Sequence, residues 1–264
     1  AAEGEARDQP DGEATPDAPL EAPRSAPARN IGEAPPFPVP ERTPPKGGKK
    51  GDHGEVEQTP TPGGERLARA RELVRAGSAR EAIELYREVV ADHPQSLRAR
   101  NNLGVLYDEM GQHDKAIEQF EAAKAIEPEN VEVLSNLGAS LLALRRFEEA
   151  EKELRRAMKL DPAAVQARAH LGILYYRRGL YTQAEVELRW VCERDHDHAP
   201  AHFYRGEVLS RLDRPDQALD SLARAAQLQP ENPKIYHLMG ILYDQKHMPD
   251  EAAQMHRKVR EMNR

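Results

Sequence analysis

From Gly63 onward, small and apolar residues return at a constant interval of 34 positions. With Gly63 as position 1, units begin at Gly63, Leu97, Val131, Val165, Ala199 and Pro233, with no insertion or deletion between them. Position 20 is alanine in all six units (Ala82, Ala116, Ala150, Ala184, Ala218, Ala252), and position 8 is Ala70 followed by Gly104, Gly138, Gly172, Gly206 and Gly240. Larger side chains recur at position 11 (Leu73, Tyr107, Leu141, Tyr175, Leu209, Tyr243) and at position 24 (Tyr86, Phe120, Leu154, Leu188, Leu222, His256). These spacings draw apolar stripes at helical period, so each unit predicts two amphipathic helices, A and B. Antiparallel helices approach closely only over small residues, and positions 8 and 20 are expected to mark that crossing.

Punctuation supports the division. Pro94, Pro128, Pro162 and Pro230 share position 32, where helix B must stop before the next helix A. Gly77, Gly111 and Gly179 at position 15 suit the A–B turn, since glycine accepts positive φ. Arg145, Asp213 and His247 replace them in units 3, 5 and 6, whose turns are therefore expected to differ. Pro215 and Pro249 fall near the start of helix B, where a missing amide costs little.

Residues 1–62 are a different material. They hold 13 of the 21 prolines and 12 acidic residues against 7 basic ones, with no sustained apolar period. Such a segment cannot offset ordering entropy by burial, and it is expected to be a disordered tether with a reach of roughly 40–50 Å. Within it PPFPVPERTPP (Pro35–Pro45) favours polyproline II, either as a stiff spacer or as a docking motif for a proline-reading domain.

The segment NNLGVLYDEMGQHDKAIEQFEAAKAIEPEN, Asn101–Asn130, is similar to the tetratricopeptide repeat (TPR), with its small, aromatic and proline positions intact. The resemblance implies an all-α solenoid of six helix pairs in a right-handed superhelix, with units 63–96, 97–130, 131–164, 165–198, 199–232 and 233–264. It also implies that A helices line the concave side, with positions 2, 5, 6, 9, 12 and 13 facing the groove. Carried over position by position, the groove is expected to hold Asn101, Asn102, Val105, Asp108 and Glu109, then Ser135, Asn136, Ala139 and Leu142. Ala169, His170, Ile173, Tyr176 and Arg177 follow, then Phe203, Tyr204, Glu207, Arg211, His237, Ile241 and Asp244. Apolar anchors mixed with hydrogen-bonding groups and charges of both signs suit a peptide segment better than a nucleic acid.

Asn102 and Asn136 share position 6 and resemble the start of the asparagine ladder in the repeats of O-linked N-acetylglucosamine transferase, although His170, Tyr204 and Leu238 end it. Paired amides could grip an extended backbone; they could equally be ordinary residues of the position. The carboxylate clamp that reads chaperone tails is missing in its usual form, since its positions hold Leu67, Arg71, Asn102, Glu132 and Asn136.

Charge narrows the partners. The chain is acidic overall (-7), and 63–264 is nearly balanced, with 33 acidic and 31 basic residues. That balance implies no basic face for phosphate backbones, so a protein or peptide partner is expected and nucleic acid is not. No apolar run approaches the ~18 residues of a membrane helix. The single cysteine, Cys192, excludes an intrachain disulfide.

Candidate chemistry is sparse. Cys192, His196, His198 and His202 form a soft-ligand cluster around one helix junction and are the candidates for a metal such as zinc, against plain packing and turn roles. Trp190 occupies a mostly polar position and is either a convex-side contact or packed flat on its own helix. No nucleophile with a positioned base, paired carboxylates or phosphate-cradling loop is found, so no catalytic residue and no cofactor are expected.

The expected role is a non-catalytic protein-binding scaffold. The alternatives are an assembly or outer-membrane targeting factor, similar in architecture to the pilotins of type IV pilus secretins, and a homo-oligomer joined through bare array ends. At the carboxy-terminal end, Arg257, Lys258, Arg260 and Glu261 would let the last helix cap itself. Ala1 in place of Met is expected of a processed or trimmed terminus and favours an exported, periplasmic location over a cytoplasmic one.

Overall fold

The computed structural model describes residues 62–264, with side chains from 63; the expected tether and its PPFPVPERTPP segment lie outside the described residues. Twelve helices fill the described part: α1 (Pro62–Arg75), α2 (Ala79–Asp92), α3 (Leu97–Glu109), α4 (His113–Ile126), α5 (Val131–Ala143), α6 (Phe147–Leu160), α7 (Val165–Arg177), α8 (Tyr181–Arg194), α9 (Ala199–Arg211), α10 (Pro215–Leu228), α11 (Pro233–Gln245) and α12 (Pro249–Met262). From α3 onward every A helix starts at position 1 of its unit, and all six B helices start at position 17.

Each A helix packs on its own B helix, and each B helix packs on the next A helix. Successive A helices from α3 to α11 also touch, whereas successive B helices make no comparable contact. A helices thus converge on the inner side of the stack.

The position-20 alanines are sealed, from 0% exposed at Ala82 to 1% at Ala252. At the crossing marked by positions 8 and 20, a large side chain of helix B also meets position 8. A Cβ on Gly138 would stand 2.6 Å from the Leu154 side chain, and the same holds for Gly104 with Phe120 and Gly206 with Leu222, so position 8 is the seat of position 24. Helix B projects one large side chain back over helix A, and glycine opens the room for it. In the first unit Ala70 and Tyr86 occupy these two positions, both buried.

The expected difference among turns is not found. Arg145, Asp213 and His247 adopt φ of 60°, 56° and 57°, the same left-handed conformation as Gly77, Gly111 and Gly179. All six turns close identically. In unit 3 the Arg145 N–H donates to Leu142 O at 3.1 Å and the Arg146 N–H to Leu141 O at 2.9 Å; in unit 2 Gly111 and Gln112 repeat the pattern on Asp108 and Tyr107. This is the Schellman closure, and its demand for positive φ overrides the side chain's preference.

The buried apolar residues form two clusters, one from Ala70 to Val208 and the other from Phe203 to Leu242. Helix α9 serves both, giving Ala201 and Val208 to the first and Phe203 and Leu209 to the second. At the far end α12 buries only Ala252. Lys258 of α12 lays its ammonium 4.0 Å from the Tyr236 ring centre and covers part of α11 with its stem.

Candidate functional site

The inner face formed by the A helices has two chemically distinct halves. In units 2 and 3 polar groups are bound to one another across the repeat boundary. The Asn101 amide donates to Glu132 Oε1 at 3.0 Å and its oxygen accepts from the Asn136 amide at 2.9 Å. Asn101 and Asn136 are buried, at 7% and 6% exposure. Asp108 Oδ1 accepts from Ser140 Oγ at 2.6 Å and lies 2.8 Å from His113 Nδ1. Asn102 turns aside and donates to the Tyr86 hydroxyl at 3.2 Å.

These bonds bear on the ladder idea. Asn102 and Asn136 do not stand as a free parallel pair, because each spends an amide N–H within the fold. Ser135 is likewise turned inward, donating to Val131 O at 2.7 Å. Val105 and Ala139 are half-buried, Leu142 is buried, and Glu109 is exposed.

Units 4 and 5 carry an aromatic patch. Tyr176 on α7 meets Tyr204 on α9 at 5.5 Å between ring centres, and Phe203 stands edge-on to Tyr204 at 5.4 Å. The Tyr176 hydroxyl donates to Glu207 Oε2. Burial raises the Tyr176 and Tyr204 phenols above their ordinary range, and the Glu207 carboxylate next to Tyr176 adds to the effect. Burial also raises the Glu207 carboxyl, against the bond from Tyr176 and the attraction of Arg211 and Lys234. The Arg177 guanidinium donates to Leu142 O at 3.3 Å and interacts with Tyr204. Ile173 and Ala169 are buried and His170 half-buried, while Arg211, His237, Ile241 and Asp244 are exposed, Asp244 lying 3.0 Å from His256 Nε2. Of these residues Tyr176, Tyr204 and Arg177 are half-buried and Phe203 is buried.

The four metal candidates have other roles. Among the described residues no group of three or more His, Cys, Asp or Glu side chains is placed to hold a metal ion. His198 is the N-cap of α9, Nδ1 accepting from the Ala201 N–H at 3.1 Å. His202 Nε2 binds His196 O at 3.1 Å, and the His196 side chain is exposed. Cys192 is a packed thiol pushed by burial up to about 12, an inert state rather than a thiolate ligand. Trp190 lies on its own unit, half-buried, with the Arg168 guanidinium 4.2 Å and the Arg194 guanidinium 5.5 Å from its ring centre.

Tetratricopeptide repeat profiles match residues 67–131, 110–162 and 141–202, together just over half of the chain. The chain belongs to the tetratricopeptide repeat family. No curated protein matches it in sequence. Among solved TPR-like structures, PilF of Pseudomonas aeruginosa is similar with 20% identity and a TM-score of 0.66, over 76% of this chain and 91% of that one. PilW, described as a widely conserved type IV pilus biogenesis factor, is similar with 19% identity and a TM-score of 0.68, over 75% and 92%. YrrB, described as a TPR protein with an unusual peptide-binding site, gives 16% identity and a TM-score of 0.52, over 67% and 91%. At these identities the likeness establishes the fold.

One TPR feature escaped the sequence reading although its letters were visible. Position 34 caps the following A helix: Ser96 Oγ accepts from Ala99 N, Asn130 Oδ1 from Val133 N and Asn232 Oδ1 from Lys234 N. His198 does the same with a ring nitrogen, and Ala164 has no side-chain cap. Ser and Asn at that position were signal enough. No described helix of this TPR chain is long and apolar enough to cross a membrane.

Proposed function

We propose that this TPR chain is a protein-binding scaffold that holds an extended segment of its partner along the inner face of the A helices. The half-buried Tyr176 and Tyr204 are the anchor, Phe203 buried edge-on to Tyr204, and the exposed Arg211, His237 and Ile241 form its rim. The observation that supports the reading is the ring pair across two A helices, Tyr176 of α7 against Tyr204 of α9, with Arg211 of α9 and Ile241 of α11 exposed. A firm, pre-formed wall next to an adhesive patch lowers the ordering cost of binding.

The test is capture of partners from the source cells. Arg211→Glu and Ile241→Glu should each weaken capture about tenfold, the ~1.4 kcal/mol typical of an interface contact that matters. Val186→Glu, at a side chain 47% exposed on α8, should leave it unchanged. Capture lost with Val186→Glu but intact in the two groove variants would place the site elsewhere.

A second reading concerns the client. PilF and PilW are matched over 91% and 92% of their lengths, so this array is of their size as well as their fold. We propose on that support that the client is a component of a surface-assembly machine such as a pilus, and that the chain is exported. Deletion of the gene should then abolish surface filaments, and fractionation should find the protein outside the cytoplasm. A cytoplasmic chain with filaments unaffected by its loss would end this reading and leave the scaffold reading intact. Association of copies through array ends is a further proposal, which light scattering across concentration decides.

A further inference from the structure

The junction between units 4 and 5 encloses two histidines, 9% and 8% exposed. His198 Nδ1 accepts the Ala201 N–H, which requires a neutral ring with its proton on Nε2. One turn later, His202 Nε2 meets the His196 carbonyl; a carbonyl only accepts, so this nitrogen carries the proton. His202 Nδ1 is then a bare acceptor, buried without a hydrogen-bond partner. A second proton on His202 has no acceptor in place.

The surroundings add to this. Arg205 of α9 donates to Ser221 Oγ at 3.2 Å and lies 3.7 Å from Glu185 of α8. Arg224 of α10 donates to the same His196 carbonyl at 3.1 Å and pairs with Asp197 at 2.6 Å. Cys192 of α8 is buried as a neutral thiol. Asp195 in the turn attracts a charge on His198 but is outweighed by burial. Burial lowers both histidines from their ordinary 6.5; at His202 the bond to the His196 carbonyl acts against it, and Arg224, Arg205 and His198 act with it. Protonation would cost α9 its cap, set a cation against the positive end of the helix and add a second one beside two arginines.

We propose that the α8–α9 junction is an acid-sensitive hinge, in which protonation of His198 and His202 uncaps α9 and parts unit 4 from unit 5. The sign follows from linkage: a neutral ring whose native value lies below 6.5 stabilises fully above that pH, and the contribution is lost as pH falls through the native value. Glu207, raised by burial, acts in the opposite direction. Because α9 carries Phe203, Tyr204 and Glu207, opening would break the Tyr176–Tyr204 pair and release whatever the patch holds. The hinge itself does not depend on what that is.

The test is amide hydrogen exchange of the full chain at pH 7.5 and 5.5, corrected for intrinsic rates and read without any ligand. Each proton taken up shifts the opening equilibrium by as much as about tenfold per pH unit. Protection of α8 and α9 should therefore fall about tenfold or more at pH 5.5 relative to α3 and α4. His198→Asn combined with His202→Leu should remove the difference, since Asn130 and Asn232 cap from position 34 and Leu134 fills position 4. If the double variant does not fold, His198→Asn alone should reduce the difference. An acid response equal in all units, or one that persists in the folded variants, overturns the proposal.

Discussion

Arg145, Asp213 and His247 hold a backbone conformation that side chains with a Cβ adopt at a cost of about 1–2 kcal/mol. Nothing lies within 4 Å of where a Cβ would stand at Gly77, Gly111 and Gly179, so the turn itself is open and the cost is intrinsic to the backbone. Arg145→Gly should raise the unfolding free energy by about 0.5 kcal/mol, the relief of strain less the entropy glycine gains when unfolded, measured by urea denaturation. Gly111→Ala should lower it by about 1 kcal/mol in the same experiment. Where the crowding is real the cost is steric: Gly138→Val would drive a side chain into Leu154, 2.6 Å from the built Cβ, at about 1–3 kcal/mol. Leu154→Ala in the same chain should recover part of it, as two faults in one contact do not add. Parental stability in the single valine variant would contradict the seat of position 24 on position 8.

Among the elements, the A helices differ in how they begin. Asn130→Ala should cost about 1 kcal/mol, and Ala164→Ser should return a comparable fraction by giving α7 the cap it lacks. Thermal melting of the two variants, in opposite directions from the parent, checks both. The last pair is the least anchored, because α12 buries a single residue and α10 meets α11 over the thinnest of the boundaries between units. Hydrogen exchange should find α12 opening first and α5 last. Helix positions were legible because alanine and glycine recur in fixed places and the period has no gaps. The turns of units 3, 5 and 6 were misjudged because closure by two backbone bonds, not residue type, sets their conformation. The bond between Asn101 and Asn136 was not legible either: it joins different positions of neighbouring units, and only the stagger of stacked helices brings them together.

For the array as a whole, stability is a sum over units and the boundaries between them. Enlarging the sealed alanine of a central unit should therefore cost more helix than the same change at the end. Ala150→Leu should lose more far-ultraviolet signal at intermediate urea than Ala252→Leu, although the two sites are equally enclosed. Equal losses would mean the described units melt as one body. At this scale the stack of helix pairs was readable from sequence; which polar groups find partners inside it was not, since that depends on the stagger of neighbouring units. The unbroken spacing of the helices has a genetic consequence. A recombination event that drops or duplicates one period of the coding sequence rejoins a B helix to an A helix in the register it already expects, so descendants of this gene can grow or shorten without any repair of the joint.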